Sequence, residues 1–534
     1  MLAGAATVPA FAPFGWWPLQ IASLALVFHL LLRTGSVRRG VLIGWTYGFG
    51  WAVCGVYWLY ISMHRYGGMP AWLAALAVAM LALLLGSITA LGTGGAVWLQ
   101  QRRAAPPAMA ALLILPACWT LSEWLRGWVF TGFPWLISGY AHSASPLAGF
   151  APLIGVYGIG WIAALLAGGI ALLPMAGRTT KYAVACMVIA TCAAGFGLQQ
   201  VAWTHASGQP VSVRLLQGNV PQEMKFSAAE LGNTLALYRD MIVAAPADLI
   251  ATPETAIPLF SQQLPPDYLP QLTQFARQSN SRLAIGIPLA DGPQSYANGM
   301  LGVGASIQPY RYDKHHLVPF GEFIPPGFRW FVDLMQIPLG DFTRGAALQA
   351  PFPVKDQAVL PNICYEDLFG EEIAAQIAAH PHTSILLNMS NIAWFGDSIA
   401  LPQHLQVSQM RALETGRPML RATNTGATAI IQPNGQISAQ LAPFTRGTLA
   451  ATVRGYQGST PYILYGNSVM LALAALALMA AWLFSAKIAG QRRSAHGAAK
   501  NPLKILGFSE PCPGLAPGPG EQHPQKPPQD PTIC

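Results

Sequence analysis

Uncharged apolar runs fill the chain up to about residue 203, at 16–34, 41–62, 70–98, 107–126, 148–175 and 181–203, and return at 463–486. A helix needs roughly 20 apolar residues to cross a bilayer, so each run reads as a membrane span by its length and lack of charge. The leading stretch, 1–13, is too short to cross alone; it reads as a shortened first helix or as part of a segment that starts upstream. Between the two apolar regions the pattern changes. Short runs rich in Val, Ile, Leu and Ala, bounded by Gly, Pro, Asn or Asp, predict strands at 212–220, 248–257, 282–290, 299–306, 358–366, 383–390, 418–423, 428–433 and 448–454. Helices are predicted after Ser227, where the spacing to Glu230 is that of a capping box, and at 371–379 and 404–415. Strands alternating with helices predict a layered α/β domain.

The expected organisation is therefore a multi-pass α-helical membrane bundle over 1–203, with about seven helices of which the first is short. A separate α/β domain covers 204–460, a returning membrane helix covers 463–486, and a tail follows over 487–534. Pro and Gly dominate that tail from 511 to 531, so it is expected to be disordered and cytoplasmic. A hydrophobic fraction of 53% with 10% charged residues excludes an ordinary soluble protein. The net charge of +8 does not form a basic stripe, which argues against a nucleic-acid partner. Instead Arg33, Arg38 and Arg39, then Arg102 and Arg103, then Arg178 and Lys181, then Lys487, Arg492 and Arg493 make every second short loop basic. Basic loops face the cytoplasm, so 204–460 falls on the far side, which in a bacterium is the periplasmic side of the inner membrane.

Of seven cysteines, Cys54, Cys118, Cys186 and Cys192 lie in apolar segments, Cys512 and Cys534 in the tail, and Cys364 alone in the α/β domain. No Cys/His spacing supports a metal site or a disulfide framework, and no cofactor is implied. Cys364 ends an apolar run and opens a helix-like one. A cysteine at the first turn of a helix is expected to favour its thiolate, which makes Cys364 a candidate nucleophile. Such a thiol needs a base and a cation. Thr252-Pro-Glu254 places a carboxylate after a strand, and Lys314 precedes Glu322 by eight residues in Lys-His-His-Leu-Val-Pro-Phe-Gly-Glu. Glu254 is expected to have a raised pKa in a partly apolar site. At the end of the run 107–126, Glu123 stands three residues before Arg126, in helical reach of an ion pair, amid tryptophans that suit a membrane interface.

Taken in order, Thr-Pro-Glu254, Lys314 to Glu322 and Ile-Cys364-Tyr-Glu366 resemble the Glu-Lys-Cys pattern of the nitrilase superfamily. With the membrane flanks, the chain is similar to its apolipoprotein N-acyltransferase branch. Gln217-Gly-Asn219, Asn391 to Ser398, Met410 to Glu414, Gly416-Arg-Pro418 and Phe130 to Leu136 match too. The resemblance implies an α-β-β-α sandwich outside the cytoplasm. It implies Cys364 as nucleophile, Glu254 as general base, Lys314 and the Tyr365 N–H as oxyanion donors, and Glu322 and Glu366 as supporting acids. It further implies a ping-pong acyl transfer through a thioester. The donor would be a phospholipid, commonly phosphatidylethanolamine, and the acceptor the α-amino group of the S-diacylglyceryl cysteine of a diacylated apolipoprotein. Two positions depart from the family, which usually has Trp at Phe226 and Asp at Ile392. Phe226 and the aromatic loops over 316–344 and 392–402 are candidate lids or substrate contacts, the loops with Phe320, Phe323, Ile324, Phe328, Trp330, Phe331, Leu334, Met335, Trp394 and Phe395. The alternatives are a membrane-tethered carbon–nitrogen hydrolase using water as acceptor and, less in keeping with the nearly uncharged spans, a transporter with a binding domain.

Overall fold

The computed structural model describes residues 1–225, 227–292, 295–304, 309–325, 327, 329 and 341–499. Phe226, Phe328, Trp330, Phe331, Leu334, Met335, Cys512 and Cys534 lie outside the described residues. Among the described residues, four helices are long and apolar enough to cross a membrane: Ala71–Arg102, Pro107–Arg126, Pro146–Met175 and Arg178–Leu198. Pro18–Arg33 and Ser468–Phe484 are shorter apolar helices. Val37–Gly55 packs along Ala71–Arg102 through glycines, and a side chain at Gly44 or Gly48 would collide with Thr93 or Thr89. The leading stretch forms only the turns Leu2–Ala5 and Val8–Ala10.

Among the described residues the α/β half contains twelve strands in two sheets. The first sheet comprises β1 His205–Gln217, β2 Leu249–Ala251, β3 Arg282–Gly292, β4 Ser295–Val303, β5 Tyr310–Asp313 and, closing its other edge, β12 Gly447–Gln457, in the order β12-β1-β2-β3-β4-β5. The second comprises β6 Phe352–Val354, β7 Gln357–Ile363, β8 Ile385–Ser390, β9 Met419–Thr423, β10 Ala429–Ile431 and β11 Ile437–Gln440, in the order β11-β10-β9-β8-β7-β6. β5, β6 and β11 were not legible as strands, being three or four residues long. In each sheet a parallel trio, β1-β2-β3 or β7-β8-β9, is flanked by antiparallel strands. Parallel neighbours require crossovers. Ala228–Val243 and Tyr268–Gln278 supply them on the first sheet, Gly370–Ala379 and Ala400–Thr415 on the second. Ser227 does precede the first of these helices, but its side chain makes no capping bond.

Strand alternation sorts the apolar residues into layers. Val211, Val213 and Leu215 of β1 meet Ile385, Leu387 and Met389 of β8 between the sheets, whereas Leu216 and Leu386 face the outer helices. The result is the expected α-β-β-α sandwich. Ala400–Thr415 differs from the other crossover helices because almost its whole circumference is buried. Val407, Met410 and Leu413 join the apolar core of the membrane helices, while Leu405 and Ala412 pack on the second sheet. Its polar residues are paired instead of solvated: Gln403 accepts from Trp135 Nε1 at 2.8 Å, and Arg411 pairs with Glu414. Where the helix Ala151–Leu172 breaks at Gly155 (φ 63°), the freed N–H of Val156 donates to Glu414 Oε1 at 2.8 Å.

Beneath this helix Arg421 of β9 pairs with Asp367 at 3.1 Å, both fully buried. Removing one partner strands the other charge. Arg421→Leu is therefore expected to destabilise the protein by about 3 kcal/mol or more, read as a lowered unfolding temperature in detergent. The double change with Asp367→Leu should recover part of that loss.

Candidate active site

β7 stops at Ile363 because Cys364 takes a left-handed conformation (φ 52°), which a β-strand cannot contain. The predicted strand over 358–366 is shortened accordingly. The five-residue 3-10 turn Cys364–Leu368 follows, and the true α-helix begins only at Gly370. Cys364 is thus not in the first turn of an α-helix, and no strong dipole favours its thiolate. Burial pushes its pKa up to about 12, the Glu254 charge pushes the same way, and Lys314 only partly opposes them. The expectation of a resting thiolate is overturned: the thiol is neutral.

A left-handed non-glycine residue costs about 1–3 kcal/mol and must be held. The Cys364 carbonyl accepts from His404 Nε2 at 3.2 Å and Asn388 Nδ2 at 3.4 Å. His404 Nδ1 faces Arg421 Nη2 at 2.9 Å, so Nδ1 accepts and the proton sits on Nε2. The Glu366 carboxylate accepts from the N–H groups of Ile363 (2.6 Å), His315 (2.7 Å) and His316 (3.2 Å) and from the Tyr312 hydroxyl (3.0 Å). It ties the segment after β5, which carries Lys314, to the segment that carries Cys364.

Glu254 lies three residues beyond the end of β2, and Lys314 directly after β5. Lys314 Nζ is 3.3 Å from Glu254 Oε1 and 2.8 Å from Glu322 Oε1. Asn298 of β4 donates to the same two oxygens, at 2.7 Å each. The other Glu254 oxygen accepts from the N–H of Asn391, just past β8. Burial alone would raise the Glu254 pKa, but Lys314, Lys225, Asn298 and Asn391 outweigh it and hold the carboxyl below its ordinary value. This corrects the expected raised pKa. Lys314 is raised despite burial because two carboxylates stabilise its charge. Asn298, Asn391, His404 and Lys225 escaped the sequence reading. A lone Asn between Ala297 and Gly299 in an apolar strand was the available signal, since a buried amide needs partners.

The remaining candidates fall in several places. Tyr365 is buried and its hydroxyl donates to the Gly132 carbonyl at 2.7 Å, in the loop after Pro107–Arg126. Phe395 packs on Trp58, with ring centroids 4.2 Å apart, so it is part of the junction with the membrane helices. Trp394 is partly exposed and meets Tyr66 edge-on. Phe320 is partly exposed, and Phe323 is half-buried under the Arg344 guanidinium. Ile392 is buried, in keeping with an apolar residue there. Glu123 and Arg126 do not pair; Glu123 instead accepts from the Ser138 N–H and hydroxyl. No group of three His, Cys, Asp or Glu suited to a metal occurs among the described residues.

Two family patterns match the chain, "Apolipoprotein N-acyltransferase N-terminal domain" over residues 3–169 and "Carbon-nitrogen hydrolase" over 193–462. An apolipoprotein N-acyltransferase of Ralstonia nicotianae is 51% identical, covering 88% of this chain and 90% of its own length. That of Nitrosomonas europaea is 46% identical, covering 92% and 97%. A solved amidase from Nesterenkonia sp. is 17% identical and covers 51% of this chain and 96% of its own, with a TM-score of 0.36. Matches of this identity along nearly the whole length, with both halves accounted for, identify the chain as a member of the apolipoprotein N-acyltransferase family.

Proposed function

We propose that the chain moves an acyl group from a membrane phospholipid, phosphatidylethanolamine by preference, to the N-terminal amine of an S-diacylglyceryl apolipoprotein. The observation that carries this reading is the buried Glu254 carboxylate, bonded to Lys314 at 3.3 Å and close enough to the Cys364 thiol to act on it electrostatically. In the first step Glu254 takes the Sγ proton as sulfur attacks the ester carbonyl. The new oxyanion faces the Lys314 ammonium and the Tyr365 N–H. The ester C–O bond then breaks, and Glu254 returns the proton to the departing lysophospholipid oxygen, leaving a thioester on Cys364. In the second step the acceptor amine attacks the thioester, its proton passes to Glu254, the C–S bond breaks and sulfur is reprotonated.

The orientation belongs to the same proposal. The basic short loops support a bacterial inner-membrane protein whose catalytic domain, 204–460, lies on the periplasmic side, where both lipid substrates could reach Cys364 sideways from the bilayer. Partly exposed Trp394, Phe320 and Phe323 are the acyl-chain contacts of this reading.

Incubation with phosphatidylethanolamine is expected to add one acyl mass to the intact protein and nothing to Cys364→Ala; equal addition to both would exclude the thioester. A diacylated lipopeptide is expected to become triacylated. Hydrolysis of simple amides without that conversion would favour the hydrolase.

A further inference from the structure

A buried cation next to Glu254 has no part in this mechanism. Lys225 is only 3% exposed and sits in the turn before the helix Ala228–Val243. Its ammonium donates to the main-chain carbonyl of Glu254 at 3.1 Å and interacts electrostatically with the Glu254 carboxylate and the Cys364 thiol. A solvated loop lysine has no need of such a place, and burying an ammonium is costly.

Its seat is built from active-site residues. Val220 exchanges hydrogen bonds with the Asn424 side chain, and Gln222 Oε1 accepts from Asn391 Nδ2 at 2.8 Å. Asn391 is the residue whose N–H holds Glu254 Oε2. Gly286 of β3 lies so close to the Glu254 segment that a Cβ would come within 2.1 Å of the Pro253 carbonyl. The backbone of Glu254 is therefore held by both β3 and Lys225.

We propose that Lys225 is a second working cation of the site: a positioning residue that fixes the Glu254 backbone and, while charged, helps keep that carboxylate ionised as the proton acceptor for Cys364. With Lys225 charged, two ammonium groups balance the carboxylates of Glu254 and Glu322 while the thiol is neutral. When the thiol proton moves to Glu254, the charge on sulfur still faces both Lys314 and Lys225. The two lysines differ in their partners. Lys314 is bonded to two carboxylates and its pKa is raised, whereas Lys225 is bonded to a carbonyl and burial lowers its pKa to about 8, with Glu254 and Cys364 partly opposing the shift. Within the pH range the protein can be assayed in, Lys225 is the cation that discharges.

The inference rests on the Glu254–Cys364 reading, and the two fail differently. If Cys364 is not acylated at all, that reading is wrong; if it is acylated but Lys225 variants leave the pH profile unmoved, only the present inference is. The test is the rate of acyl-enzyme formation from phosphatidylethanolamine, followed by intact mass between about pH 3.5 and about 9.5 in the full-length protein in detergent, for wild type, Lys225→Met and Lys225→Arg. Wild type is expected to lose rate above about pH 8 as Lys225 discharges. Lys225→Arg should retain most of the rate at pH 7 and lose that basic limb, because arginine stays charged. Lys225→Met should be about tenfold slower, with its acidic limb moved to higher pH because Glu254 has lost a cation. A basic limb in Lys225→Arg that coincides with wild type overturns the proposal, and so does a Lys225→Met profile of unchanged shape. Should Lys225→Met not fold, the arginine variant decides alone.

Discussion

An ammonium buried to 1% exposure, as that of Lys314 is, survives only where close carboxylates offset its loss of water. The organisation of the catalytic half follows from that requirement. Glu254 and Glu322 come from separate segments, and each would repel the other if the lysine and Asn298 did not stand between them. To bring the four groups together, the end of β2, the middle of β4 and the end of β5 must be in register within one sheet. The second sheet must then supply the N–H of Asn391 from beyond β8 and Cys364 from the end of β7. Two sheets packed face to face with parallel strands at their centres meet this geometry, because the ends of parallel strands point the same way.

The same constraint reaches the membrane helices. Cys364 keeps its left-handed backbone partly through His404, which belongs to a helix buried between the second sheet and the membrane helices. His404 also stacks on Trp135, and the next residue after Cys364, Tyr365, is bonded to Gly132. His316, two residues past Lys314, donates from Nε2 to the Thr131 carbonyl at 2.9 Å. One loop of the membrane half thus touches three points around Cys364. The apolar core runs without a break from the membrane helices into Tyr365, Leu368 and Phe369. The backbone of Cys364 is therefore set jointly by both halves, which is why this α/β domain carries a helix polar in sequence yet buried on nearly every side.

What could be read from the sequence was what local chemistry marks. Glu254, Lys314, Glu322, Cys364 and Glu366 sit in short, distinctive segments, and the layered α/β character followed from alternation of strand and helix patterns. Groups whose role arises only from distant contacts were invisible. Lys225 looks like any loop lysine, and Asn298 lies 44 residues from the carboxylate of Glu254 that it binds. The two pKa expectations failed for a related reason. They weighed each group against its own neighbours in the chain, whereas the Glu254 carboxyl is governed by two lysines from elsewhere and the Cys364 thiol by burial. The capping box failed too, since spacing permits the bond at Ser227 without requiring it.

The reversal of those two pKa directions changes how the acyl transfer has to work. A thiol pushed up to about 12 beside a depressed carboxyl does not ionise at rest, so no reactive thiolate waits near the membrane for an adventitious electrophile. In the proposed transfer, proton movement to Glu254 becomes favourable only as sulfur bonds to the ester carbon, because the negative charge then moves from sulfur to an oxygen facing Lys314. The acid form of Glu254 made at that moment is unstable in its cationic surroundings, and so it gives its proton readily to the departing oxygen. Once it has done so it is again a carboxylate, ready for the proton of the incoming amine. A raised carboxyl would hold the proton and stall between the two half-reactions; a depressed one, paired with a neutral thiol, returns to its starting charge after each.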